Sequence, residues 1–321
     1  MRFAFSDDQK AFRDTLRGLL DKECTTEVVR RAWDQATSGR SPSLWGKLAE
    51  LGIIGLTVPE AHGGLGLREI DLVLLLEECG RAALAEPILE TTAVGALLLA
   101  EVAGAPLQTA WLPRIATGEA RLAVGLEGSA LVTDAHLADL LLLERAGELH
   151  ALERSAVKLE AAPSVDGARR LFRVEWSPSS ATRIAAGDAA RAGLLRAFDR
   201  GALGSAAILL GLARRLIDVT VEYVKVRKQF GVAIGTFQAV KHHLADSLVK
   251  IEFARPVVYR AADSMSRLSD SSSLHVSMAK ASASDAALSA ARAALQCHGA
   301  IGYSYEHDLH LFMKRAWALA A

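Results

Sequence analysis

Cysteine is scarce in this chain of 321 residues. Cys24, Cys79 and Cys297 are an odd number without metal-ligand spacing. That argues against a disulfide framework or a metal centre and points to a reducing, cytoplasmic compartment. Excess charge of either sign is missing too: 37 basic residues balance 37 acidic ones, and the two signs are interspersed. No basic footprint for nucleic acid is present. Long apolar runs are absent, since Leu137 to Leu143 is interrupted by Asp139 and is too short to span a membrane. The start, Met1 to Ser6, leads into charged residues and lacks the apolar core of a signal peptide. Aromatics make up only 6% of a chain that is 51% hydrophobic, so alanine and leucine must form the core. That composition favours helices packed closely through small side chains.

Three regions follow from periodicity. Residues 1–119 read as helical. Ser6 before Asp7-Asp8-Gln9 is an N-cap signal, and Phe12, Leu16, Leu19 and Leu20 recur at helical spacing. Ser41-Pro42 opens a second helix that stops at Gly52. Val58 to Gly66 is glycine-rich but lacks the spacing of a nucleotide-binding loop, so it reads as a turn. Leu67 to Val102 is apolar almost all round and predicts one or two buried helices, and Pro106 and Pro113 bracket a last short one. Residues 120–184 change period. Short apolar runs at 122–126, 131–132, 140–143, 148–152, 157–159 and 171–176 predict a small antiparallel sheet. Residues 185–321 hold one proline, Pro256, and stripes that fit four antiparallel helices. The fold class is therefore mainly α with a small β-domain.

Two polar corners stand out. Tyr223 to Gly231 reads as a helix end, a tight basic turn and the approach to another helix, with Arg227 and Lys228 beside Gly231. Fixed positive charge near a helix start suits a phosphate-bearing ligand. The plain alternative is a solvated helix–helix corner. The second corner is Gln296-Cys297-His298-Gly299-Ala300-Ile301-Gly302-Tyr303. Its glycines let a ligand approach the backbone, or simply break a helix.

With these corners the chain resembles the acyl-CoA dehydrogenase family. The motifs that carry the resemblance are Arg227-x-x-Phe230-Gly231, Ile234, Phe237-Gln238, Leu244-Ala245-Asp246 and the Gln296 to Tyr303 element. Asp8-Gln9-x-x-Phe12-Arg13 and Val58-Pro59-Glu60-x-x-Gly63-Gly64-x-Gly66 join them in the same order. The resemblance implies an N-terminal helical domain, a middle β-domain and a C-terminal four-helix bundle. It implies FAD, an acyl-CoA substrate and an electron-transfer flavoprotein. It also implies that Arg227, Phe230, Gln296 and Gly299 contact FAD held by a neighbouring subunit, with Gln229 and Gln238 as secondary candidates. Ala300 stands in that contact where the family has its second glycine.

Departures from the family pattern shape the expectation. No Tyr-Glu-Gly-Thr segment follows Gln296, and Gly201 falls where other members carry the base. Asp199 is a nearby substitute, although an N-cap role explains it as well. Ala202 replaces an arginine associated with CoA. Ala123 to Ser129 does not match the family's flavin-lining stretch, and the β-domain is short. No catalytic residue is therefore assigned. The pattern predicts a non-catalytic partner that lends its corners to a full-length sister subunit. It is similar to one half of the α2β2 actinobacterial enzymes that act on steroid side-chain CoA thioesters, a branch the Tyr305 to His310 segment also resembles. Two alternatives remain: a self-sufficient homo-oligomeric enzyme with Asp199 or Glu306 as an atypical base, and a helical interaction protein without a flavin role. His307 and His310 share too few neighbours for a metal site. His242 and His243 read as a surface pair, and Glu77-Glu78 as a polar edge or interface.

Overall fold

The computed structural model describes residues 4–34 and 36–321. Helix α1 (Asp7–Glu23) starts where Ser6 and Gln9 form a reciprocal capping box, and it buries Leu16 and Leu20. After α2 (Thr26–Ala32), Ser41 caps α3 (Pro42–Glu50), which ends before Gly52 in the left-handed region. The glycine-rich segment is indeed a turn between helices. A Cβ on Gly64 would lie 2.1 Å from the Val58 carbonyl oxygen, so the chain there is folded tightly on itself.

The apolar stretch after Leu67 forms three pieces. Helix α4 (Glu69–Arg81) ends near Ala83, whose φ is 49°. A π-helix, Leu89–Gly95, then runs into α5 (Ala96–Val102). The buried Thr91 and Thr92 anchor it. Thr91 Oγ1 donates to the Leu122 carbonyl at 3.2 Å, and Thr92 Oγ1 donates to the Ile54 carbonyl at 3.1 Å. Helix α6 (Ala105–Ala116) contains Pro106 in its first turn and Pro113 inside, so Pro113 does not end it. It lies within the last turn, where few downstream bonds depend on it.

All six apolar runs of the middle region are strands: β1 (Leu122–Gly125), β2 (Val132–Thr133), β3 (Leu140–Arg145), β4 (Glu148–Glu153), β5 (Lys158–Ala162) and β6 (Leu171–Glu175). A seventh, β7 (Arg183–Ala185), joins them. They form two sheets rather than one, in the orders β1-β3-β4-β7 and β2-β6-β5. Pairing is antiparallel except for β1 with β3, which run parallel because residues 126–139 carry the chain back to the same end. Ala123, Val132, Leu141, Leu143 and Leu152 lie in one buried cluster, against which Phe172 and Trp176 pack.

Helix α7 (Gly187–Val226) follows. After it come a hairpin of β8 (Lys228–Gln229) and β9 (Val232–Ala233), α8 (Gln238–Ser266), α9 (Ser272–His298) and α10 (Leu309–Ala320). Alanines let α8 and α9 pack along each other: Ala254, Ala261, Ala283, Ala287 and Ala290 are all buried. The described residues divide into two compact units. One comprises Met1–Arg31, Val73–Leu84 and Leu203–Ala321, the other Ala32–Leu72 and Ala85–Ala202. In the first, a Cβ on Gly211 would stand 1.8 Å from the Glu77 carbonyl oxygen, and one on Gly80 2.0 Å from that of Ile208. Helices α4 and α7 thus cross backbone to backbone. Beside this crossing the acidic pair is structural. Glu78 accepts from Arg17 (2.9 Å) and Arg81 (2.6 Å), and Glu77 accepts from the Tyr259 hydroxyl at 2.7 Å.

Candidate functional site

The basic corner is a β-hairpin, not a simple turn. The Arg227 N–H closes the last turn of α7 on the Tyr223 carbonyl at 2.9 Å, and the Ile234 N–H returns to the Arg227 carbonyl at 2.9 Å. Gln229 pairs with Val232, leaving Phe230-Gly231 as a two-residue loop. Both loop residues have positive φ, 53° and 81°. That is the geometry a tight hairpin requires, and it suits glycine far better than phenylalanine. Phe230 is 92% exposed, touching the Phe237 ring edge-on at 6.2 Å. A strained backbone that pushes a bare aromatic ring outward is costly, and such strain gathers at functional sites.

Arg227 is exposed, and among the described residues its guanidinium makes no hydrogen bond or ion pair. The neighbouring cation Lys225 is already held by Glu222 at 2.6 Å. The fork of Arg227 therefore remains free for an external anion, and arginine matches phosphate geometry bidentately. Gln229 and Gln238 are exposed as well, Gln238 as the first residue of α8.

At the second corner α9 ends at His298, and Gly299 has φ 66°. A Cβ on Gly299 would meet nothing within 4 Å. Only the backbone conformation asks for glycine there, and the backbone is open to an approaching group. Gln296, Gly299 and Ala300 are all exposed. Gly302 differs: it is buried, and a Cβ would stand 2.9 Å from Leu295 Cδ1. The two corners meet through aromatic rings. Tyr223 stacks on His298 with centroids 4.2 Å apart and planes 20° apart. Sequence spacing gives no sign of this contact, because 75 residues separate the pair.

Asp199 sits a dozen residues inside α7, so it is not an N-cap. It is buried beside Arg200, whose guanidinium bonds Glu69 at 2.8 Å and Glu101 at 2.5 Å. Glu306 is exposed, and its carbonyl accepts from Arg30 at 2.9 Å. His307 and Asp308 precede α10 rather than sharing its face with His310, and Asp308 pairs with Arg30 at 2.7 Å. No cluster of three or more His, Cys, Asp or Glu suited to a metal occurs among the described residues. The three cysteines are buried and form no disulfide. No helix among the described residues is long and apolar enough to cross a membrane.

One group escapes sequence reasoning. Glu90, in the π-helix, is pushed up to about 7 by burial and by the Asp134 carboxylate, against the pull of Arg169 and Arg40. Its only sequence signal is an acid inside an apolar run. Gly125, in β1, is closely packed. A Cβ there would lie 2.8 Å from both Leu143 Cδ2 and Val132 Cγ2.

Residues 6–119 match the family model for the acyl-CoA dehydrogenase N-terminal domain, and residues 193–320 the one for the C-terminal domain. Acyl-CoA dehydrogenase IpdE2 of Mycolicibacterium smegmatis is 34% identical over 97% of this chain and 93% of its own length. Its namesake from Mycobacterium tuberculosis is also 34% identical, over 97% and 91%. Among solved structures, a Tcur3481-Tcur3483 steroid ACAD variant superposes with TM-score 0.87 at 25% identity, covering 98% of this chain and 92% of that one. The ChsE4-ChsE5 complex from Mycobacterium tuberculosis superposes with TM-score 0.87 at 24% identity, covering 99% and 94%, and supports the fold. The chain belongs to the acyl-CoA dehydrogenase family.

Proposed function

We propose that this chain is the partner subunit of a heteromeric acyl-CoA dehydrogenase and lends its two corners to FAD held by a full-length sister. Family members are FAD-dependent oxidoreductases acting on the CH–CH bond of acyl-CoA thioesters. Bound FAD supplies the hydride acceptor. The observation that carries the reading is the free guanidinium of Arg227 beside the strained, exposed Phe230. Arg227 is suited to the diphosphate, and the open backbone of Gly299 with the amide of Gln296 to the nucleotide end. Gln229, Phe230, Gln238 and Ala300 complete the contact set.

Three further features support a lending role. The chain has Gly201 and Ala202 where members carry a base and a CoA arginine. Ala123 to Ser129 does not match the family's flavin-lining stretch. Val249 and Phe253 of α8, and Leu274 and Met278 of α9, are exposed apolar residues that a partner would cover. The two-component steroid ACAD and the ChsE4-ChsE5 complex support a partner subunit and a steroid substrate, and the proposal extends to an α2β2 assembly, a steroid side-chain acyl group and electron delivery to an electron-transfer flavoprotein. The matched family segments support a division into domains at 1–119, 120–184 and 185–321. No observation singles out Asp199 or Glu306 as a base.

Co-expression tests the proposal. The chain alone should be colourless and inactive. With a full-length paralogue it should yield a yellow, active complex. Yellow, active protein from the chain alone would establish the self-sufficient alternative instead.

A further inference from the structure

We propose that Tyr223, His298 and His307 form a ring clamp that fixes the two corners relative to each other, making them positioning residues for flavin. The inference rests on the reading that the corners hold FAD.

Tyr223 lies one helical turn before Arg227, and its carbonyl receives the Arg227 N–H at 2.9 Å. His298 lies between Gln296 and Gly299. Their rings stack at 4.2 Å, and the Tyr223 hydroxyl donates to the His298 carbonyl at 3.4 Å. His307 closes the group edge-on, 4.9 Å from His298 and 6.2 Å from Tyr223. Each ring is itself held. His298 Nδ1 lies 2.8 Å from the Ala294 carbonyl, which makes Nδ1 the protonated nitrogen of a neutral ring. His307 Nδ1 accepts from the Leu309 N–H at 3.1 Å. Arg30 pins the segment around His307 by donating to the carbonyls of Tyr305 (2.7 Å) and Glu306 (2.9 Å) and to Asp308 (2.7 Å). Arg227, Phe230, Gln296 and Gly299 themselves are all exposed, so the rings are what tie the two corners together among the described residues. A diphosphate and an adenosine sit at a set separation, so two unconnected corners would bind them with an ordering cost that the clamp removes.

Two measurements on the full chain and its flavin complex test the clamp. The first is FAD affinity of the co-expressed complex for Tyr223→Ala, Tyr223→Phe and Arg227→Ala. Tyr223→Ala should weaken FAD about three- to tenfold, the range that aromatic stacking converts to. Tyr223→Phe keeps the ring and should restore most of that loss. The second is the rate of tryptic cleavage after Arg227 and Lys228 in the chain without flavin. It should rise in Tyr223→Ala and stay near wild type in Tyr223→Phe. If Arg227→Ala weakens FAD while Tyr223→Ala changes neither readout, the clamp is wrong and the corner assignment stands. If Arg227→Ala leaves FAD affinity unchanged, the corner assignment itself fails and the clamp loses its purpose.

Discussion

At the scale of single residues, Phe230 pays for its position with backbone strain. A non-glycine residue in the left-handed region costs about 1–2 kcal/mol. Phe230→Gly should therefore stabilise the free chain by about 1 kcal/mol, read as a higher urea midpoint, while lowering flavin content in the complex. A gain in both would show that the ring has no role at the interface. Glu90 gives a pH-dependent prediction. Its folded value of about 7 lies above the ordinary carboxylate range. Folded protein then binds more protons than unfolded protein between the two values, and stability drops as pH rises through that window. Glu90→Gln cannot ionise, so its stability relative to wild type should climb from about pH 4.5 to 7 and then level off. Urea titrations across that range measure it. Burial holds His298 below the usual histidine range, with His307 adding to the effect. That group works in the opposite direction, favouring the folded state as pH rises through about 6.5. That two exposed breaks between helices lie at 227–237 and 299–308 was legible in the sequence, because their glycines and polar residues interrupt the helical stripes locally. The Tyr223–His298 stack was not, since it joins residues from different helices and either ring alone reads as ordinary core.

At the scale of elements, the crossing of α4 and α7 is the most constrained joint. Gly80 and Gly211 leave no room for a methyl group against the facing carbonyls. Gly211→Ala should destabilise the chain by about 1–3 kcal/mol, the usual cost of overpacking, seen as a lower melting temperature. An unchanged melting temperature would mean that the helices separate freely. The sequence revealed six strands as short apolar runs set between polar and glycine punctuation. β7 is Arg183-Ile184-Ala185, which offers no apolar run to read. The π-helix differs from an α-helix only in which carbonyl each N–H reaches, and side-chain pattern does not report that. The β8–β9 hairpin escaped because its loop is Phe230-Gly231, and phenylalanine is not a turn residue. The predicted stripe Phe237, Val240, Leu244, Leu248, Ile251 is fully buried only at Ile251. The first turns of α8 stay open in the chain alone, as a partner-facing element would.

At the scale of the whole molecule, the chain has two exposed polar corners and uncovered apolar side chains on α8 and α9. Phe253 is 75% exposed, the most exposed of these apolar side chains. Phe253→Lys should weaken association with the sister subunit while sparing the fold of the chain alone, as gel filtration and thermal melting would report. The central claim is that Arg227 reaches out to a cofactor held by another subunit. The most direct test is the flavin-to-protein absorbance ratio of the purified complex carrying Arg227→Ala. The predicted result is a marked fall in bound flavin with both subunits still associated. A ratio equal to that of the wild-type complex would contradict the claim.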